Sequence, residues 1–214
     1  MRTFLARHLP EIGNWKLNSD QEEAISRELL DVYGLHASAQ LEGNRLNNAW
    51  GRMGAEQHLP RYPGDTAYQH EALQEKGITP GLGGWGYFAP SKAAMTPELY
   101  DTEKYYVAVQ TLYLPNWLTD TARLSAWYKF RHVVVVNPEN GKAVVAAVAD
   151  AGPSVWTGKH FGGSPEVMHY LGIDVGMQNS PVVLFFLDDP KHEIPLGPLE
   201  YNVLKHQQEM EQKS

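Results

Sequence analysis

Apolar residues recur along the chain with two periods. Ala24, Ile25, Leu29, Val32 and Tyr33 follow Ser19-Asp20-Gln21-Glu22 at helical spacing as far as Gly34. A capping box of the S-x-x-E kind and a glycine stop therefore predict one helix between them. A second helix is predicted over 37–53 and a third over 65–76, with Gly77 just past its end. The stretch 81–90, GLGGWGYFAP, reads as a loop, and beyond it the pattern shifts to short runs rich in valine and aromatic residues. Runs at 105–114, 131–137, 142–149 and 182–187 read as strands, and Asn140-Gly141 between the second and third is a hairpin signal. Ser164 as N-cap, Pro165 and Glu166 open a short helix that Gly172 ends. The polar tail from Lys205 reads as a helix or a frayed end.

These elements give a mainly β protein with a helical N-terminal part. Residues 1–95 form a helical segment packed on a β domain, and residues 96–214 form that domain with its C-terminal tail. Several short strands without regular helices between them predict a small barrel.

Composition narrows the function. The 214 residues are 43% apolar, enough for a packed core, and no apolar run approaches the roughly 20 residues that span a bilayer. The opening MRTFLARHLPEIGNW lacks a continuous apolar core, so no signal peptide is visible in it. With no cysteine, disulfides, thiolate metal sites and cysteine nucleophiles are excluded together. The net charge of −7, with neither sign gathered in a block, argues against nucleic acid as a partner.

The informative stretch is 143–173, AVVAAVADAGPSVWTGKHFGGSPEVMHYLGI, where a buried strand ends on a single carboxylate, Asp150, before Ala151-Gly152-Pro153. A carboxyl group at such a strand end has its pKa raised by partial burial and is suited to protonating a leaving oxygen. The alternative is a turn acid whose carboxylate accepts backbone N–H groups from Gly152 and beyond. Both readings stay open on the residues alone.

The order of strand, N-x-x-N-G-K hairpin, strand, D-x-G-P and short helix ending in L-G, from Arg131 to Leu187, resembles the core of the RlpA-like double-psi β-barrel. The upstream strings AEQHLPRYPGD, GLGGWGYF and EKYYVAV are similar to a group of uncharacterised bacterial proteins that carry such a barrel. The resemblance implies a six-stranded double-psi barrel decorated by N-terminal helices, an extracytoplasmic or cell-envelope location, and action on peptidoglycan or another polysaccharide. It implies that Asp150, at the matching Asp of D-x-G-P, is catalytic, as in lytic transglycosylases, where one group can serve first as acid and then as base. The chain also departs from the family. Where relatives continue with Arg-Ile-Asp-Leu-Ser, it has GKHFGGSPE, with Lys159 at the basic position and Gly163 in place of the second Asp. Glu103, just before the strand KYYVAV, is the substitute helper that the resemblance suggests.

Around that acid, Trp156, Lys159 and His160 are the candidate sugar contacts, with Trp85 and His58 as further members. A rival site starts from His58 and Asp65, whose spacing is that of H-x6-D metallopeptidases, with His70 close behind. Its remaining ligands are missing from the sequence, so no metal or other cofactor is expected. No G-x-S-x-G elbow or phosphate loop is present. Three functions follow: a glycan-cleaving enzyme of the lytic transglycosylase kind; a non-catalytic, expansin-like barrel that binds glycan or docks a protein through its N-terminal part; and, least favoured, a zinc-dependent cell-wall peptidase.

Overall fold

A computed structural model describing residues 1–175 and 179–200 buries the run Val133 to Val136 on both faces of one strand. The elements in chain order are helices α1 (Arg2–His8) and α2 (Ser19–Tyr33), and strands β1 (Ala37–Ser38), β2 (Gln40–Leu41), β3 (Asn44–Arg45) and β4 (Trp50–Ala55). Then come α3 (Pro97–Lys104), β5 (Tyr106–Val109), α4 (Thr121–Tyr128), β6 (His132–Val136) and β7 (Ala143–Asp150). The last are β8 (Phe161–Gly163), α5 (Pro165–Leu171), β9 (Asn179–Leu187) and β10 (Gly197–Leu199).

Six strands close a barrel in the order β9-β4-β8-β5-β7-β6 and back to β9. The pairs β4 with β8 and β5 with β7 are parallel, and the other barrel pairs are antiparallel. β1 extends the edge of β9 beyond β4, and β10 extends β7 beyond β5.

The two-residue period of a strand explains the unbroken valines. Val133, Val135, Val144, Val148, Leu184 and Phe186 point into the barrel interior, where α4 and α5 add Leu124, Tyr128, Met168 and Leu171. The alternate residues Val134, Val136, Val145, Val183 and Phe185 point outward and are covered by Leu5 of α1 and by Ile25, Leu29 and Val32 of α2. Each such side chain contributes about 1.5–3 kcal/mol by leaving water, so β6, β7 and β9 form a doubly buried wall.

The local signals hold with small shifts. The capping box of α2 lies one residue earlier than predicted: Asn18 Oδ1 accepts from the Gln21 N–H at 2.9 Å and Gln21 Oε1 accepts from the Asn18 N–H at 3.0 Å. Gly34 stops the helix in the left-handed conformation. The β6–β7 hairpin turns through Gly141, and Ser164 caps α5 by accepting from the Val167 N–H. The run predicted as a strand to residue 114 ends at Val109 and continues as a 3-10 turn.

The predicted helices over 37–53 and 65–76 are not formed. Glu42 and Gly43 take positive φ and turn β2 into β3, while 50–55 becomes the barrel strand β4. In the other stretch Leu73 is left-handed, which splits the chain into 3-10 turns at 67–69 and 74–76. Because β4 lies between β9 and β8, the barrel draws on both sides of residue 95, and the first 95 residues are not a helical unit set apart from it. The tail predicted from Lys205 lies outside the described residues.

Candidate active site

β7 ends on Asp150, which is level with Ala108 of β5; Ala108 is level with Gly162 of β8, and Gly162 with Gly54 of β4. A row of almost bare backbone thus crosses four strands from Gly54 to Asp150. Its glycines leave room for what lies over them. A Cβ at Gly162 would sit 2.4 Å from Glu56 Oε1, and a Cβ at Gly54 would sit 2.3 Å from Lys159 Cε. Glu56 and Lys159 therefore lie across a trough whose floor is Gly54, Gly162 and Ala108, with Asp150 at one end.

Asp150 is held by its loop and by a distant one. Its Oδ1 accepts from the Ala151 N–H and from the Gly84 N–H, each at 2.7 Å, while Oδ2 accepts no hydrogen bond from the described residues. The GLGGWG stretch is thus a clamp: a Cβ on Gly84 would meet Ala151 N at 3.0 Å, so only glycine brings its N–H this close. Burial raises the Asp150 pKa, and the two N–H bonds offset this only in part. Burial likewise raises that of Glu56; Lys159 opposes the rise and the charge of Asp150 adds to it. Two electrostatically coupled carboxyl groups, both shifted toward the protonated form, share the trough.

The loop after Asp150 is pinned by Gln110, whose Nε2 donates to Pro153 O at 3.1 Å and to Lys159 O at 2.9 Å. On that loop Trp156 is 84% exposed beside the exposed Val155. His160 faces the other way along β4: its Nδ1 accepts from the Arg52 N–H at 3.0 Å and its ring packs on Trp15 at 5.2 Å. Trp85 donates its indole N–H to Ser125 of α4 and packs against the barrel core.

Glu103 and His58 lie elsewhere. Glu103 is 2% exposed, accepts from the Leu59 N–H at 3.0 Å, and stands 3.5 Å from His58 Nδ1 and 3.2 Å from His70 Nδ1. Burial would raise its pKa, but the facing imidazoles of His58 and His70 outweigh that and hold it low. For His58 burial acts downward, and Glu103 and Glu166 reverse it, so its pKa is raised. Tyr106 marks the proximity of the two groups: its hydroxyl pKa is pushed well up by burial and by Glu56, Glu103, Asp150 and Glu166 together. Asp65 is bound by Arg61 at 2.7 and 2.9 Å, so the H-x6-D pair does not stand alone; the buried partners of His58 are His70 and Glu103.

Of the residues read from the sequence, Asp150 and Lys159 share the trough and Trp156 stands on the loop that follows Asp150. His160 and Trp85 pack beside it, and Glu103 and His58 belong to the second cluster. Sequence reasoning missed Glu56. The signal was an acid at a strand end: Glu56 directly follows β4, as Asp150 closes β7. No family model and no curated protein matches the chain, so its likeness to RlpA-like barrels rests on its motifs and on the closed barrel.

Proposed function

We propose that the barrel is of the RlpA-like double-psi kind and that the protein cleaves glycosidic bonds of a cell-wall polysaccharide, peptidoglycan first among them. The reading carries an extracytoplasmic or cell-envelope location with it. The observation that supports it is the pair Asp150 and Glu56 across a glycine-floored trough, both raised by burial. A carboxyl group shifted toward its protonated form is suited to giving a proton to a glycosidic leaving oxygen. Asp150 gives its proton to that oxygen as the bond to C1 breaks. The carboxylate then takes the proton of the sugar's own C6 hydroxyl as that oxygen closes on C1, which returns Asp150 to its acid form and leaves a 1,6-anhydro end. Glu56 supports the same chemistry in its ionised form, which Lys159 favours, by stabilising the positive charge that develops at C1. The resemblance pointed to Asp150 with Glu103 as helper; Glu103 lies in the other cluster, and in this reading Glu56 takes the helper's place.

A second reading has its own observation. Trp156, almost fully exposed on a pinned loop, is a flat apolar face next to a groove, as an expansin-like binding module would use. Purified peptidoglycan incubated with wild type, Asp150→Asn and Trp156→Ala separates the two. Cleavage predicts soluble fragments ending in 1,6-anhydro-muramic acid, about 10²–10⁴-fold fewer with Asp150→Asn at unchanged folding. Absence of fragments from wild type, with retention on insoluble glycan that only Trp156→Ala abolishes, replaces the enzyme by the binding module.

A further inference from the structure

Four pieces of chain meet beneath the loop segment 56–96. His58 follows β4, His70 ends a 3-10 turn, Glu103 lies in the last turn of α3 and Glu166 in the first turn of α5. One donor atom from each of His58, His70 and Glu103 lies within 4.8 Å of the other two, and all three residues are buried.

The histidine nitrogens decide what this cluster can hold. His58 Nε2 lies 3.2 Å from Leu73 O, a carbonyl that can only accept, so Nε2 carries the hydrogen and Nδ1 turns inward. There Nδ1 has no hydrogen-bond partner, although Glu103 Oε1 stands at 3.5 Å and Glu166 Oε2, itself buried and unpartnered, at 4.0 Å. A lone pair facing two carboxylates is repelled, so a positive charge belongs between them, either a second proton on Nδ1 or a metal ion. The spacings are too long for N–H···O bonds. The 3.5 Å to Glu103 matches the roughly 3.3–3.5 Å that separates two donors each about 2.0–2.2 Å from one tetrahedral ion, and Glu166 at 4.0 Å lies just outside that range, so it closes in when the ion binds. His70 is placed differently, since its outer Nε2 is buried without a hydrogen-bond partner among the described residues. Its Nδ1 is on Glu103 Oε2 at 3.2 Å, and its Nε2 faces Asp65 Oδ2 at 3.3 Å, a carboxylate that Arg61 fixes in turn. An imidazole whose outer nitrogen meets a carbonyl or carboxylate is oriented as metal-bound histidines are.

We propose that His58, His70 and Glu103 bind one divalent transition-metal ion of the zinc class, with Glu166 as fourth ligand. Two imidazoles and two carboxylates suit zinc better than the hard cations, and the two carboxylates balance its charge. Four protein ligands make a closed, structural site, which ties the 56–96 segment to α3 and α5. A cavity of about 310 Å³ lined by Arg61, His70, Tyr100, Glu103 and Glu166 gives the ion its way in.

The test uses the full chain without a histidine tag, stripped with a chelator and titrated with Zn²⁺ and Co²⁺. Expected are one equivalent bound per chain, the Co²⁺ absorption of a tetrahedral site, and a thermal midpoint raised by several degrees at about a hundredfold excess over Kd. His70→Gln is expected to lose binding. Glu166→Gln, at the edge of the cluster, keeps the fold and weakens binding at least about tenfold, so it decides the matter if His70→Gln does not fold. The site is overturned by a folded wild type that takes up no stoichiometric metal, by affinity unchanged in both variants, or by an imidazole nitrogen spectrum in which His58 keeps two protons in excess Zn²⁺.

Discussion

Two groups of acids act on the Tyr106 hydroxyl, one half-buried around Asp150 and one built on the fully buried Glu103, and burial acts on both in the same direction with opposite results. Around Asp150 and Glu56 the partners are two backbone N–H groups and a lysine lying over glycine, too little to offset desolvation, and both pKa values rise. Around Glu103 two imidazoles and a backbone N–H converge on one carboxylate, and its pKa falls. The difference is one of partners rather than of depth. An under-compensated acid is available for proton transfer and costs stability, whereas a fully engaged one holds structure together and is not available.

The comparison breaks first at Glu103. Glu103→Gln removes the charge on which His58 and His70 converge and leaves buried imidazoles facing an amide, so the expected loss is about 3–5 kcal/mol. Urea unfolding measures it directly. A loss below about 1 kcal/mol would mean that Glu103 is no more engaged than Asp150, and the distinction between the two groups would lapse.

The sequence shows one of these groups far better than the other, for a physical reason. Strands β6, β7 and β9 are doubly buried, so each carries dense β-branched or aromatic residues and is visible as a run; Asp150 is conspicuous because it ends one. β4, WGRMGA, and β8, FGG, pair in the barrel just as fully, yet their glycines make room for Lys159, His160 and Glu56 to cross them. The demand for close approach erased the strand signal, and with it the reason to look at Glu56. That His58, His70, Glu103 and Glu166 meet depends on how a long segment without regular strands folds back on α3 and α5, which no local period encodes. The glycine- and aromatic-rich loop was visible as a loop, but its role as clamp on Asp150 spans 66 residues of sequence and is a tertiary fact.

That clamp provides a sharper test of the trough. In Gly84→Ala the new Cβ would meet Ala151 Cβ at 2.9 Å, Ala151 N at 3.0 Å and Asp150 Oδ1 at 3.4 Å. Part of this obstacle is backbone, so the loop must move and the N–H leaves Asp150, at an expected cost of about 1–3 kcal/mol. Gly162→Ala serves as the comparison: its Cβ meets Glu56 Oε1, Cγ and Cδ at 2.4, 2.5 and 2.8 Å, all side chain and none of it backbone, so Glu56 can turn away and the thermal midpoint should change less. Equal destabilisation by the two variants would show that the GLGGWG loop does not clamp Asp150.

The smallest expected effect carries the clearest sign. A carboxyl group whose folded pKa is raised binds more protons in the folded than in the unfolded chain between its unfolded value, roughly 3.9 for Asp, and its folded one. In that window stability falls as pH rises, by at most about 1.4 kcal/mol per pH unit for one group, and the penalty is complete above the folded pKa. Below the unfolded value it is absent. Asp150→Asn keeps an oxygen for the Ala151 and Gly84 N–H groups but cannot ionise, so it escapes the penalty. Relative to wild type it should therefore gain stability as pH is raised from about 4 toward 7, by roughly 1 kcal/mol, and be equal or slightly weaker at pH 4. Urea midpoints of both proteins across that range measure the difference. A variant that instead loses stability toward neutral pH would mean that the ionised carboxylate is stabilising where it sits, a turn acid satisfied by its loop, and Asp150 would then belong with Glu103 rather than opposite it.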